Sequence, residues 1–157
     1  MEIIGLDKTQ VRTASETAAF ALGTVGRVDG SGNLYKYVKY NAGAGGIAAA
    51  AGKFAYFYAP SGVSAGATTT VTSDLSDSAG VGAGVLQSVI ADTGYGWIQI
   101  KGEATLALAL TAGADGNALT AVGSTDGALN VSAAVTDFIC AVAIDASAKI
   151  VLLDCPF

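Results

Sequence analysis

The sequence predicts an all-β protein, a small antiparallel β-sandwich or barrel with an extended N-terminal arm. Three observations predict it. Glycine occurs 21 times and proline only 2 times, with Thr and Val abundant, a composition that suits short strands and tight turns better than long helices. From Gly26 onward, turn signals recur about every 8–12 residues, the spacing of a sandwich or barrel. Between the turns lie runs with a period of two, the alternation of a half-buried strand. With 157 residues the chain suffices for one ordinary domain, divided here into an arm, residues 1–24, and a single β domain, residues 25–157.

The arm holds Glu2, Asp7, Lys8, Arg12 and Glu16 and shows no sustained alternation. A short helix from Ser15 to Leu22 would have Ser15 as its N-cap, but it is too short to hold without packing. The arm is therefore expected to order on a partner, and its removal to leave the β domain folded. The apolar patch from Ala18 to Leu22 is too short for the core of a signal peptide. Synthesis in a reducing cytoplasm is the expectation.

The first strand of the domain is expected from Leu34 to Tyr40, after the turn cluster Asp29-Gly30-Ser31-Gly32-Asn33. It puts Tyr35, Tyr37 and Lys39 on one face and Leu34, Lys36, Val38 and Tyr40 on the other. A loop from Asn41 to Gly52 leads to an aromatic strand from Lys53 to Tyr58, which Pro60-Ser61-Gly62 breaks. The Thr-rich run from Ala67 to Ser73 reads as a half-exposed strand. A loop with Asp74, Asp77, Gly80, Gly82 and Gly84 follows, then a strand from Val85 to Ile90. The strongest segment, from Tyr95 to Lys101, sets Tyr95, Trp97, Gln99 and Lys101 against Ile98 and Ile100. Gly102 marks a bend, and a strand restarts from Glu103 to Leu110. The last third holds strands at 117–122 and 127–131, and a hairpin pairing 138–144 with 149–153 around Asp145-Ala146-Ser147. With Ile144 opposite Lys149, Cys140 lies opposite Leu153 and Cys155 is its diagonal neighbour. Diagonal Cβ atoms sit about 7–8 Å apart, beyond the roughly 4 Å a disulfide needs, so both thiols are expected to be free.

Composition narrows the function. Apolar residues make up 52% and charged residues 13%, about half the roughly 25% usual for soluble domains. Much of the surface must then be Ala, Gly, Ser and Thr, which is poor at keeping a chain monomeric. A net charge of −5 with 8 Lys plus Arg leaves no basic stripe for a phosphate backbone, so neither nucleic acid nor an anionic membrane is an expected partner. No run reaches the roughly 18 apolar residues of a membrane span. Two cysteines without any histidine exclude a Cys/His metal site or a Cys-His pair within one chain. No phosphate-binding loop, nucleophile elbow or metal-ligand cluster is present, and no cofactor is expected. The aspartates fall mostly in turns, where they bond local backbone, and nothing selects two of them as a glycosidase pair. Catalysis is not expected.

The aromatic residues Tyr35, Tyr37, Tyr40, Tyr56, Phe57, Tyr58, Tyr95 and Trp97 admit two readings. They could form a sugar-binding platform, or they could serve as core and subunit interface, since cross-strand aromatic pairs hold sheets together and Tyr and Trp bury large areas at low entropy cost. Tyr35, Tyr37, Tyr56, Tyr58, Tyr95 and Trp97 are the candidate interface.

A resemblance joins these readings. The short strand from Gly84 to Ile90, followed by Gly94-Tyr95-Gly96-Trp97-Ile98-Gln99-Ile100-Lys101-Gly102-Glu103-Ala104, resembles a stretch of the head decoration, or cement, proteins of tailed phages. The pairing of Leu22-Gly23-Thr24 with the Tyr35–Tyr40 strand and the closing strand ending in Val151-Leu152-Leu153 resemble the same proteins. The resemblance implies a non-enzymatic virion protein on the outer capsid surface, a homotrimer that ties major capsid protein subunits together. Lys8 and Arg12 of the arm are the candidate capsid contacts. A glycan- or receptor-binding β module of a tail fibre or adhesin is the alternative.

Overall fold

The computed structural model describes residues 2–28, 30–62, 68–110 and 112–156. Eleven strands follow along them: β1 (Glu2–Ile4), β2 (Val25–Arg27), β3 (Leu34–Tyr40), β4 (Phe54–Tyr58), β5 (Thr70–Thr72), β6 (Ser78–Leu86), β7 (Tyr95–Thr105), β8 (Ala118–Thr120), β9 (Asn130–Val131), β10 (Ile139–Asp145) and β11 (Ile150–Asp154). No α-helix occurs among the described residues, as the glycine and β-branched content leads one to expect. Strands β3, β5, β4, β6 and β7 pair in that order, and β7 pairs back to β3, so the sheet closes into a five-stranded barrel. Of these five pairings, β3 with β5 is parallel and the others are antiparallel.

Strand β7 is the spine. Its first half pairs with β3 from Lys39↔Tyr95 to Leu34↔Lys101. Its second half leaves the barrel and pairs with β11 from Asp154↔Lys101 to Ile150↔Thr105. Beyond β11 the sheet continues through β10 and β8 to β9. The hand-over falls at Gly102, whose φ is 95°, a conformation that costs a residue with a Cβ. A Cβ there would also run into the side chain of Asn33. The bend expected at Gly102 is thus present, but the strand after it stops at Thr105 instead of reaching Leu110. Leu106 is buried while Leu108 and Leu110 are partly so, and Ala107 donates its N–H to Gly52 O at 2.8 Å. Leu106 and Leu110 pack on the core from a loop.

Other boundaries differ from the sequence reading for local reasons. The glycines at 80, 82 and 84 lie inside β6, which ends at Leu86 instead of Ile90. Small residues let this strand approach its neighbours: a Cβ on Gly82 would lie 2.7 Å from Cys140 Sγ and 2.9 Å from the Phe54 ring. The Thr-rich strand narrows to Thr70–Thr72, and Ala67 lies outside the described residues. In the last hairpin, Ala141 and not Cys140 faces Leu153. The expected register is off by one because β10 carries irregularities at both ends, between Ala143 and Asp145 against β11 and between Ile139 and Ala141 against β8. At the second of these Cys140 is the extra residue, and it turns inward beside Ala141 so that both are buried. Cys140 and Cys155 are free and buried. A hydrogen bond with Cys140, then burial, pushes the Cys155 thiol well above its ordinary range.

The loop from Asn41 to Gly52, to which composition assigned no role, is pinned by three carboxylates. Asp92 Oδ1 accepts from Ala42 N at 2.8 Å, Asp77 Oδ2 from Ala44 N at 2.6 Å and Asp74 Oδ2 from Gly45 N at 2.7 Å. Burial pulls the Asp74 pKa up, but hydrogen bonds from Ser76, Gly45 and Asp77 outweigh it and hold the carboxyl below its ordinary value. A loop nearly without polar side chains stays down because its backbone amides meet fixed anions.

Strand β3 has one discordant residue. Lys36 follows the inward phase between Leu34 and Val38 and is only 3% exposed. Its Nζ lies 5.2 Å from the centroid of the Phe57 ring, and no carboxylate of the described residues forms a salt bridge with it. Burial lowers its pKa. The unfolded chain therefore holds this proton more tightly than the folded one, so stability rises as pH climbs from the folded pKa towards about 10.4. Replacement of an unpaired buried charge by an apolar side chain of similar length is expected to stabilise, here by about 1–2 kcal/mol. Urea melts of Lys36→Met near neutrality and at alkaline pH check this: the variant should be the more stable at neutral pH and should lose the alkaline gain.

Candidate functional site

Two surfaces hold the side chains that could act. The first is the outer face of β3 and β7, where alternation directs Tyr35, Tyr37 and Trp97 away from the barrel. All three are buried, at 1%, 0% and 0% exposure. What buries them is the segment 2–24, so it does not extend from the domain as a free arm. β1 pairs in parallel with β2, Leu6 is buried in the same cluster, and Arg12 exchanges backbone hydrogen bonds with Tyr95 at 2.9 and 2.8 Å. The ring of Phe20 sits 5.4 Å from that of Tyr37 and 5.3 Å from that of Trp97. Gly23 N donates to Tyr37 O and Tyr37 N to Thr24 O.

The helix considered from Ser15 to Leu22 does not form. Glu16 instead closes a turn, its Oε2 accepting from Thr13 N at 2.7 Å and its Oε1 from Arg12 Nη1 at 3.1 Å. Ala19 N donates to the hydroxyl of Tyr37 at 3.2 Å. Docking Phe20 on two aromatic rings outweighs the weak propensity of so short a helix.

Tyr56 lies inside the barrel, and its hydroxyl donates to Ala128 O at 2.6 Å. Burial pushes its pKa up, so it stays protonated across the ordinary range. Of the six aromatic residues expected at an interface, Tyr35, Tyr37, Tyr56 and Trp97 are consumed within the chain, and Tyr58 and Tyr95 are half-buried. Lys8 is exposed, with Nζ 5.8 Å above the Tyr35 ring. Arg12 is tied to Glu16 by an exposed ion pair at 3.1 Å, a contact of small energetic worth.

The second surface was not singled out from the sequence. On the outer face of β10 and β11, Ile139, Val142, Ile144 and Leu152 are 41–50% exposed. Val142 faces Leu152 directly, and Leu152 faces Glu103 of β7. The signal was legible: 138–144 and 150–153 are apolar at both phases of the strand, so whichever face turns inward, the other shows apolar side chains to water. A groove of about 490 Å³ opens there, lined by Lys101, Gly102, Ile139, Val142, Leu152 and Asp154 among others. Among the described residues no group of three His, Cys, Asp or Glu side chains could hold a metal ion. The carboxylates of Asp74 and Asp77 are engaged with backbone amides of the 44–45 loop. What the arrangement can do chemically is bind another apolar surface.

Compared with known proteins, the chain matches no family model, no curated protein and no solved structure.

Proposed function

We propose that the chain is a structural decoration protein that adds in many copies to the outer surface of a tailed-phage head and reinforces contacts between major capsid subunits. The observation that carries this reading is the position of the segment that resembles the head decoration proteins. Its residues, Gly94 to Ala104, form nearly all of β7, the strand shared by the barrel and the outer sheet. Each distinctive residue has a structural duty there. Trp97 is the floor on which the N-terminal segment closes, Gln99 spans the bulge by donating from Nε2 to Glu103 O at 2.7 Å, and Gly102 turns the strand from one sheet to the next. A motif whose residues build a scaffold suits a protein that works by binding surfaces.

The open apolar sheet face adds support, since a monomer in water gains nothing from leaving Leu152 and Val142 uncovered. Lys8 remains the candidate capsid contact, exposed beside a rigid aromatic ring. The alternative of a glycan-binding module is left with a smaller platform, because Tyr35, Tyr37, Tyr40, Tyr56, Phe57 and Trp97 are buried and only Tyr58 and Tyr95 are partly exposed.

The test mixes the full-length protein with expanded heads assembled from the major capsid protein of a candidate tailed phage. Bound copies are counted by gel densitometry, and the temperature of genome release is recorded. A fixed number of copies per capsid subunit and a raised release temperature are expected, because a ligand that binds the assembled state stabilises it. Lys8→Glu should bind fewer copies while melting like the parent. Absence of binding to heads, with binding on a glycan array, would replace this reading by the adhesin one.

A further inference from the structure

We infer that the outer face of β10 and β11, with the loop preceding β10, is the surface through which copies of this chain bind one another. The occupant is another copy of the chain. The inference stands on the fold alone and holds whether or not the protein belongs on a phage head.

The face carries a projection and a recess side by side. The recess is the groove lined by Ile139, Val142 and Leu152, about 490 Å³ in volume. The projection is the loop 132–137, at whose tip Val135 is fully exposed. The loop is stiffened from within: Asp137 Oδ2 accepts from Ala133 N and Ala134 N, both at 3.0 Å, and from Ser132 Oγ at 3.1 Å. Asp137 N donates back to Ala134 O at 3.1 Å. A valine held outward on a rigid loop has already met most of the ordering cost of binding. Projection and recess on one face allow each copy to give Val135 to its neighbour and to receive one, the self-complementary arrangement of a symmetric assembly.

Charge and area agree with a self-contact. Across the middle of the face, from Ala118 through Val142 to Leu152, no side chain is ionised. At its rim Lys101 and Asp154 pair at 3.2 Å beside Glu103, which faces Leu152, so the ionised groups of both signs lie along one edge and leave the middle apolar. The exposed parts of Phe138, Ile139, Val142, Ile144 and Leu152 amount to on the order of 400 Å², the size of the largest apolar patch on an ordinary monomer, which is often a functional surface. With the 132–137 loop, each copy approaches the roughly 800 Å² per partner of a stable interface. Tyr35, Tyr37, Tyr56 and Trp97 do not serve, because their rings are buried within the chain.

Sedimentation velocity of the full-length protein at tens of micromolar is the experiment, run on the parent, Leu152→Lys, Val135→Lys and Val89→Lys. Val89 is 69% exposed on the turn between β6 and β7 and serves as the control. The parent and Val89→Lys are expected to sediment as an oligomer of the 15.5 kDa chain. Leu152→Lys and Val135→Lys should weaken association by about tenfold or more, since a lysine in the centre of an apolar contact strands a charge. All three variants should keep the parent's circular dichroism, because the substituted side chains are exposed in the monomer, while Leu152→Lys and Val135→Lys lose the part of the melting temperature that association contributes. A parent that sediments as a monomer overturns the inference, as does a folded Leu152→Lys or Val135→Lys that associates like the parent. If one of the two lysine variants misfolds, the other decides.

Discussion

Removal of residues 1–24 is expected to unfold the protein or to leave it as an aggregate, with the emission of Trp97 shifted to the red. Trp97 is the sole tryptophan of the chain, so its fluorescence reports on this one site. In the intact fold the indole is fully buried beneath Phe20, beside Tyr37 at 5.1 Å and near Leu6 of the same cluster. The truncation would uncover Trp97, Tyr37 and Tyr35 at once. Re-exposing an apolar side chain of this size costs about 1.5–3 kcal/mol, and the strand pairing of β1 with β2 would be lost as well. Three such side chains amount to a large share of the roughly 5–15 kcal/mol that holds a domain of ordinary stability.

A milder form separates packing from chain loss. Phe20→Ala keeps the segment but removes its ring, and is expected to destabilise by about 2–3 kcal/mol with a partial red shift. Thermal melts followed by tryptophan fluorescence check both forms. A truncated chain with the parent's melting temperature and blue emission would show that the segment is a removable arm after all.

Gly84→Ala is expected to destabilise by on the order of 3 kcal/mol. Gly84 lies in β6 with φ of 151°, where L side chains are strained. A Cβ there would run into the carbonyl oxygen of Gln99 and would also lie 3.1 Å from its carbonyl carbon. Those atoms belong to the backbone of β7, which is held on both sides by β3 and β6, so the neighbour cannot rotate away as a flexible side chain could. The substitution must open the barrel where β6 meets β7. Gly46→Ala is the matched control: its φ is 65° but nothing lies within 4 Å of the added carbon, so only the backbone strain of about 1 kcal/mol remains. Urea melts that place the two variants at equal stability would show that β6 and β7 can separate without loss.

The core of the barrel was legible in the period-two runs. The segments at 34–40, 53–58 and 95–101 are strands with the phases that alternation assigns, because each has one face apolar enough for burial to set its direction. The closing hairpin was legible for the same reason, whereas its register was not. Register depends on where extra residues bulge out, and Cys140 turns inward only because β8 and β11 both pair with β10 around it. The first part of β6, Ser78 to Gly84, was read as a loop because glycine carries no strand propensity of its own; Gly82 and Gly84 are required by what lies across from them.

The candidate site divides in the same way. By itself the sequence determined an all-β chain, weakly charged and without histidine, with aromatic strands able to close a core. Those are properties of composition and of spacing along one strand, and local chemistry is enough to settle them. Only the tertiary structure decided that Tyr35, Tyr37 and Trp97 on the outer barrel face are covered by residues 2–24, that Lys36 lies inside over the Phe57 ring, and that the apolar surface left to water is the back of β10 and β11. Burial is a relation between distant segments: Phe20 meets Trp97 across 77 positions of chain, and no pattern within either segment states that the two will meet.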